Sequence, residues 1–501
     1  MGSSPRESGG ELGGNVAFRR VLILTVSLIL ATSGCRWVVR ASVDAGGNQA
    51  NGSSHEVALS ADGRFVAFES DATNLVPSDT NGDRDVFVRD NRTGGIERVF
   101  EGAGLVDLTE DGRHVAVRDF GPCQGSPAAT WLFIRDRVTG VTDCLFVEDF
   151  QSVALSATGR FVANLSASTG SLFVHDRETA QQETIPSPAG YRPASGIDIS
   201  DDARYVVFDT RPTNCLPPPA PACQPSPSTF VHDRQTGIVE SLPLTPPRAE
   251  DSHSPAISGD GRWVAYQIQT FEPFDPSGYR TSTWRYDRQT AIAEPVSVTT
   301  NGSVVASFGQ PQISDDGRYV MFASSEALDT ADPTARVSSG LYVRDMVEGQ
   351  TTLINRNVSG VPATEQVLSD ALADDGRYVA FSSTSANLVG NDTNDASDVF
   401  LRAIPTPRIE SLTPPSIPRG TTATLTVVGN GFAPAPTAGV AGTGVTVAAV
   451  TRVSEHELSV TITVDSLAPT GARTLSVTNT GTGPGPTAGD TGACVNCLSI
   501  T

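Results

Sequence analysis

Ser60-Ala-Asp62-Gly63-Arg64-Phe-Val-Ala-Phe68 is the stretch that decides the fold. An Asp-Gly pair tolerates positive φ and makes a tight hairpin, and the apolar run behind it suits a strand buried between neighbouring sheets. The same unit returns around Asp111-Gly-Arg113, Thr158-Gly-Arg160, Asp202-Ala-Arg204, Asp260-Gly-Arg262, Asp316-Gly-Arg318 and Asp375-Gly-Arg377. Successive arginines lie 49, 47, 44, 58, 56 and 59 residues apart. A period of about 50 residues carried by short strands points to propeller blades.

Each of the first six copies holds four strand signals. Val57–Leu59 precedes the first hairpin and Phe65–Phe68 follows it; a variable loop then leads to a third strand, Asp85–Asp90. Later third strands include Leu132–Asp136, Leu172–Asp176 and, in the last copy, Val399–Arg402. A Thr-Gly turn such as Thr93-Gly94 opens a more polar fourth strand. The seventh copy stops after its third strand. Trp37–Val43, however, precedes the first copy much as Ile292–Val298 precedes the sixth and Thr352–Val358 the seventh. The N-terminal segment is therefore expected to complete the last blade and remove its exposed edge.

The Asp-Gly-Arg-[Phe/Tyr]-Val-Ala-Phe core with its downstream Phe-Val-Arg-Asp strand resembles the TolB-type (WD40-like) β-propeller repeat. After the proline-marked stretch Ala403–Pro407, composition shifts to Thr, Val, Gly and Ala. The run from Pro407 to Val-Val-Gly-Asn-Gly-Phe432 resembles an IPT/TIG module, which implies an immunoglobulin-like domain. Strand candidates there are Thr422–Val428, Val445–Val453, Leu458–Val464 and Arg473–Thr478. The expected fold is all-β: a seven-bladed β-propeller over 36–403, closed by its N-terminal strand, and a C-terminal immunoglobulin-like β-sandwich over 404–501.

Residues 1–35 read as an export signal. Arg19 and Arg20 precede the apolar run Val21–Ala31, which is short for a membrane span, and small residues lead into Cys35. This resembles a bacterial lipoprotein signal with Cys35 as the lipidated residue, although Thr32 stands where that motif usually has Leu. Ordinary cleavage and secretion is the alternative. An exported, membrane-anchored lipoprotein, periplasmic or at the cell surface, is the expectation. Of the seven cysteines, six fall into near neighbours that suit disulfides in an exported protein: Cys123 with Cys144, Cys215 with Cys223, Cys494 with Cys497. Zinc at Cys494-Val-Asn-Cys497 is disfavoured because no second Cys or His pair follows.

The formal net charge is −21, and all 35 basic residues other than histidine are arginine. Such a chain repels phosphate backbones, so nucleic acid is not expected as a partner. Asp79, Asn81, Asp83 and Asp85 place oxygen side chains at every second residue, as calcium loops do, with a partial echo at Asp392, Asn394, Asp395 and Asp398. The first copy lacks the glycine an EF-hand needs at its sixth position, and an Asx-rich turn is the preferred reading. Calcium is the one cofactor with any sequence support.

No catalytic set stands out. The hairpin Arg and the Asp ending the third strand recur, so they belong to blade construction. No Gly-x-Ser-x-Gly elbow is present. Function on a rigid scaffold sits on variable loops, and the long connections between second and third strands, such as Glu69–Arg84 and Gln267–Thr283, share one face. The expected function is non-catalytic: a cell-envelope scaffold contacting a protein or glycan through that face. The alternative is a propeller enzyme, a glycosidase or lyase, using loop carboxylates at the mouth of the ring.

Overall fold

The computed structural model describes residues 38–121, 129–146, 150–213, 228–245, 249–272, 278–330, 339–357, 360–404, 407–432, 436–454, 457–479 and 491–501. The described residues are all-β, arranged as nine four-stranded antiparallel-rich sheets with no helix among them. Sheet one runs Ser54–Leu59, Phe65–Ser70, Asp85–Asp90, Ile96–Phe100 in spatial order. Sheets two to six repeat this meander along the chain, over 104–146, 150–185, 191–241, 249–295 and 308–353. Sheet seven takes Val367–Leu372, Tyr378–Ser383 and Asp398–Ala403 from residues 367–403, and its fourth strand is Val38–Arg40. The register is Val38 opposite Arg402, Val39 opposite Leu401 and Arg40 opposite Phe400. The first strands of successive sheets neighbour one another, and that of sheet seven returns to that of sheet one. The seven sheets thus form a closed cycle.

The hairpin motif explains how neighbouring sheets lock. Ser60 Oγ donates to Asp62 (3.0 Å) and accepts the Phe65 amide (2.9 Å), while Asp62 also accepts the Arg64 amide (2.9 Å). Arg64 then pairs with Asp90 at the end of the third strand, 2.8 Å away. The same pairing joins Arg113 to Asp136, Arg160 to Asp176, Arg204 to Asp233, Arg262 to Asp287 and Arg318 to Asp345. In sheet seven Ala403 takes the place of the Asp, and Arg377 turns to Asp375 (2.7 Å). These pairs lie within sheets. In five sheets the aromatic after the Arg works between them: Phe65 packs on Gly112, Tyr205 on Gly261, Trp263 on Gly317, Tyr319 on Gly376 and Tyr378 on Gly63. That last contact runs from sheet seven to sheet one. Apolar residues fill each interface; Phe68 and Phe87 of sheet one, for example, share a core with Ala380 and Leu401 of sheet seven.

Residues 408–500 supply the remaining sheets. One orders Arg408–Thr413, Thr422–Asn430, Glu457–Val464, Val445–Ser454; the other orders Ser416–Ile417, Thr491–Ile500, Gly471–Asn479, Pro436–Val440. A shared core including Leu425, Val427, Phe432, Val460, Ile462, Leu475 and Leu498 lies between them. Four of these eight strands, those starting at Arg408, Ser416, Pro436 and Thr491, are absent from the sequence expectation.

A second difference lies in sheet five. The expected loop Gln267–Thr283 is largely strand, because Trp263–Phe271 pairs with Tyr279–Asp287 through nine rungs. Tyr266 and Ile268 on one arm and Tyr279, Trp284 and Tyr286 on the other favour the extended pleated form, and the pairing carries the polar residues between them.

Candidate functional site: an acidic channel and an aromatic rim

All seven first strands line a central channel of about 580 Å³. Among the described residues eight of its lining side chains are Asp or Glu and none is Arg or His, so this lining does not attract an anionic ligand. Two layers are distinct. In the deeper layer carboxylates and amides stitch adjacent inner strands: Asp107 accepts the amides of Leu108 and Leu155, Asp198 those of Ile199 and Ile257. Gln312 accepts the Leu372 amide (2.7 Å) and donates to Asp370 (3.1 Å). Burial pushes Asp107 up to about 6 and Asp198 up to about 7 despite these amide donors.

The second layer sits at the hairpin end, on residues directly preceding the hairpin Asp. Glu110, Asp201 and Asp315, from sheets two, four and six, bring carboxylate oxygens within 4.8 Å of one another. Asp374 of sheet seven lines the same end. Burial, then the charge of Asp201, raises Glu110 to about 8 and Asp315 to about 7. Burial, then Asp315, lifts Asp374 well above the usual carboxylate range. This group escaped the sequence reading. Its signal was the alternation of Glu or Asp with Ala61, Ala157 and Gly259 at one repeat position.

The candidate calcium loop is built differently from a cation site. Asp79 and Asp85 both turn onto the guanidinium of Arg98, at 3.2 and 2.8 Å, and Asn81 donates to Asp85 (2.9 Å) while Asp83 is exposed. Arg98 occupies the seat between Asp79 and Asp85. The echo repeats the device: Arg40 reaches Asp398 at 2.8 Å and Asp392 at 3.6 Å. Arg98 stands opposite Phe87 and Arg40 opposite Phe400, equivalent positions in sheets one and seven. Both loops are therefore straps fastened to a fourth strand.

The long-loop end carries the exposed aromatics. Phe271 and Tyr279 pair edge to face with centroids 5.7 Å apart, and are 39% and 43% exposed. Phe308, 43% exposed, begins the first strand of sheet six beside them, where the Ser307 amide donates to Thr281 O at 2.9 Å.

Cys494 and Cys497 stand at bonding distance on one strand, with Cα atoms 5.6 Å apart. Cys35, Cys123, Cys215 and Cys223 lie outside the described residues; Cys144 is on the fourth strand of sheet two, Thr142–Phe146. His175 and His232 occupy the repeat position held by Arg in sheets one, two, six and seven, and burial lowers both.

No protein-family model matches the sequence, and no curated protein does. Similar folds occur among solved structures. The tricorn protease is 14% identical with a TM-score of 0.44; the match covers 69% of this chain but only 33% of that one. An oligogalacturonate lyase from Vibrio parahaemolyticus is 13% identical (TM-score 0.49; 74% and 93% covered). TolB from Acinetobacter baumannii is 14% identical (TM-score 0.35; 64% and 76% covered). These are distant likenesses and bear on neither ligand nor reaction.

Proposed function

We propose that this protein is a non-catalytic binding scaffold of the cell envelope. In this reading a seven-bladed β-propeller, closed by its N-terminal strand, carries a C-terminal immunoglobulin-like domain of the IPT/TIG kind. The long-loop face holds a protein or glycan. The observation that carries the reading is the exposed aromatic rim of Phe271, Tyr279 and Phe308. Three large aromatics held in solvent by rigid strands cost solubility, and such residues concentrate at recognition surfaces. The enzyme alternative has carboxylates in the channel, but four of the eight sit at the hairpin end, away from the long loops, and among the described residues no basic side chain lines the channel beside them.

The test is capture from an envelope extract with the region Arg36–Thr501. Wild type is expected to retain a component that Phe271→Ala/Tyr279→Ala/Phe308→Ala loses at least about tenfold, the effect of truncating one or more hot-spot anchors. Equal capture by both would remove the rim from the account.

Attachment is proposed through a lipidated Cys35. Because bacterial lipoproteins carry several acyl chains, they anchor stably. Cys35→Ser is expected to move the protein from the membrane fraction to the soluble one with its melting temperature unchanged. A wild type already soluble after export would establish secretion instead.

A further inference from the structure

We propose that the hairpin-end carboxylates of the channel form a proton-held plug, which closes the ring in acid and loosens it as the carboxylates ionise. Glu110, Asp201 and Asp315 converge from three sheets that are not adjacent in the ring, with Asp374 beside them. Three carboxylates within 4.8 Å of one another, with a fourth at the same end of the channel, cannot all be charged without a counter-charge. Among the described residues the lining groups that face the cluster supply none. At the same repeat position sheets one, three and five have Ala61, Ala157 and Gly259; the deeper layer adds Asp107, Asp198 and Asp370, and Glu56 lies further along. Behind the cluster stand Asp111, Asp202, Asp260, Asp316 and Asp375, again acidic. Arg113, Arg204 and Arg318 of sheets two, four and six are spent on the third-strand aspartates, and Arg377 of sheet seven is held by Asp375 at 2.7 Å, one residue beyond Asp374.

The cluster lies on the seams between sheets, which is what makes it a mechanical element. Glu110 O accepts the Ala61 amide (2.9 Å), joining sheets one and two. The Asp201 amide donates to Gly259 O (3.1 Å) and that of Asp315 to Asp374 O (2.9 Å), joining four to five and six to seven. The Asp375 amide donates to Ala61 O (3.1 Å), joining seven to one. Repulsion among the carboxylates therefore pulls directly on the hydrogen bonds that hold these seams.

The sign follows from linkage. Glu110 and Asp315 hold their protons to about 8 and about 7 in the fold, whereas an unfolded chain releases them near pH 4. Their contribution is fully present below about pH 4 and is lost as pH rises through 7 and 8. The Arg-paired aspartates act oppositely: Asp90, lowered to about 2 first by the Arg64 hydrogen bonds, loses its contribution only in strong acid.

The experiment is a melting-temperature series from pH 5 to pH 9 on the full chain, for wild type and Glu110→Gln/Asp315→Asn. A control, Glu250→Gln/Glu365→Gln, removes the same charge from exposed sites. Wild type should lose several degrees across the series. The channel variant should lose less than half as much and outlast wild type at pH 9, while the control tracks wild type. Independently, the infrared band of protonated carboxyls at pH 7 should be present in wild type and reduced in the channel variant. Parallel wild-type and channel-variant curves, or equal flattening by the control, would overturn the proposal. So would recovery of the pH 5 melting temperature by calcium at pH 9, reversed by chelator, since a cation rather than protons would then balance the cluster.

Discussion

Gly317→Val is expected to cost about 4 kcal/mol of stability, one of the two largest effects in the molecule. Gly317 has φ +68°, a conformation costing an L-residue about 1–2 kcal/mol. A Cβ there would also fall inside the Trp263 ring of the preceding sheet. That ring has no room to yield, because the guanidinium groups of Arg262 and Arg285 lie 4.5 and 3.9 Å from its centroid. Overpacking of this kind adds about 1–3 kcal/mol. Gly94→Val is the comparison. Gly94 has φ +78° but only an Arg89 side-chain atom at 3.8 Å from the Cβ position, so it carries the backbone cost alone. Sheet four holds Ala203 at φ 56° in the hairpin place, which shows that a methyl can be fitted with local adjustment and sets Gly317→Ala below Gly317→Val. Denaturant melts of the two valine variants decide the matter. Equal losses would mean that the packing of one sheet's aromatic on the next sheet's glycine does not hold the ring.

What the sequence revealed and what it hid divide along one physical line. The hairpin Ser60–Phe68 is legible because all its determinants are local: a serine and an aspartate capping amides two to five residues away, and a glycine for the turn. Repetition then makes the arrangement of sheets an arithmetic matter. The acidic cluster was hidden because Glu110, Asp201 and Asp315 meet only after ring closure, and nothing near any of them in the chain marks the meeting. The Asp79–Asp85 spacing was suggestive of calcium for the same reason in reverse. The cation that satisfies it, Arg98, comes from the next strand and lies outside any window centred on the loop. Strand limits failed where pairing overrides composition: polar Gln267, Gln269 and Thr270 look like loop yet extend the second strand of sheet five. In the C-terminal region the two-residue strand Ser416–Ile417 has no pattern to detect, and it exists because it lies parallel to Ser499–Ile500.

Removal of residues 36–43 is expected to abolish cooperative folding of the ring, or to leave a chain that associates. Val38, Ala41 and Ser42 are buried against sheet seven. Ser42 Oγ donates to Asp398 (2.7 Å) and accepts the Val399 amide (3.1 Å), and Arg40 pairs with Asp398 at 2.8 Å. Truncation leaves Asp398 buried with neither Arg40 nor Ser42, a loss of about 3–5 kcal/mol when one partner of a buried pair is removed. Lost strand hydrogen bonds at about 1 kcal/mol each and the exposed apolar surface bring the total near the whole stability of an ordinary domain. What survives would present Asp398–Ala403 as an open edge, ready to pair with another chain. Light scattering against concentration reads the association. A synthetic peptide of residues 36–43 added to the truncated protein should restore monomers and the melting transition, because it supplies the missing strand without a covalent link. A truncated chain that stays monomeric and melts with wild type would show that the last sheet is stable with three strands and that the N-terminal segment merely lies against it.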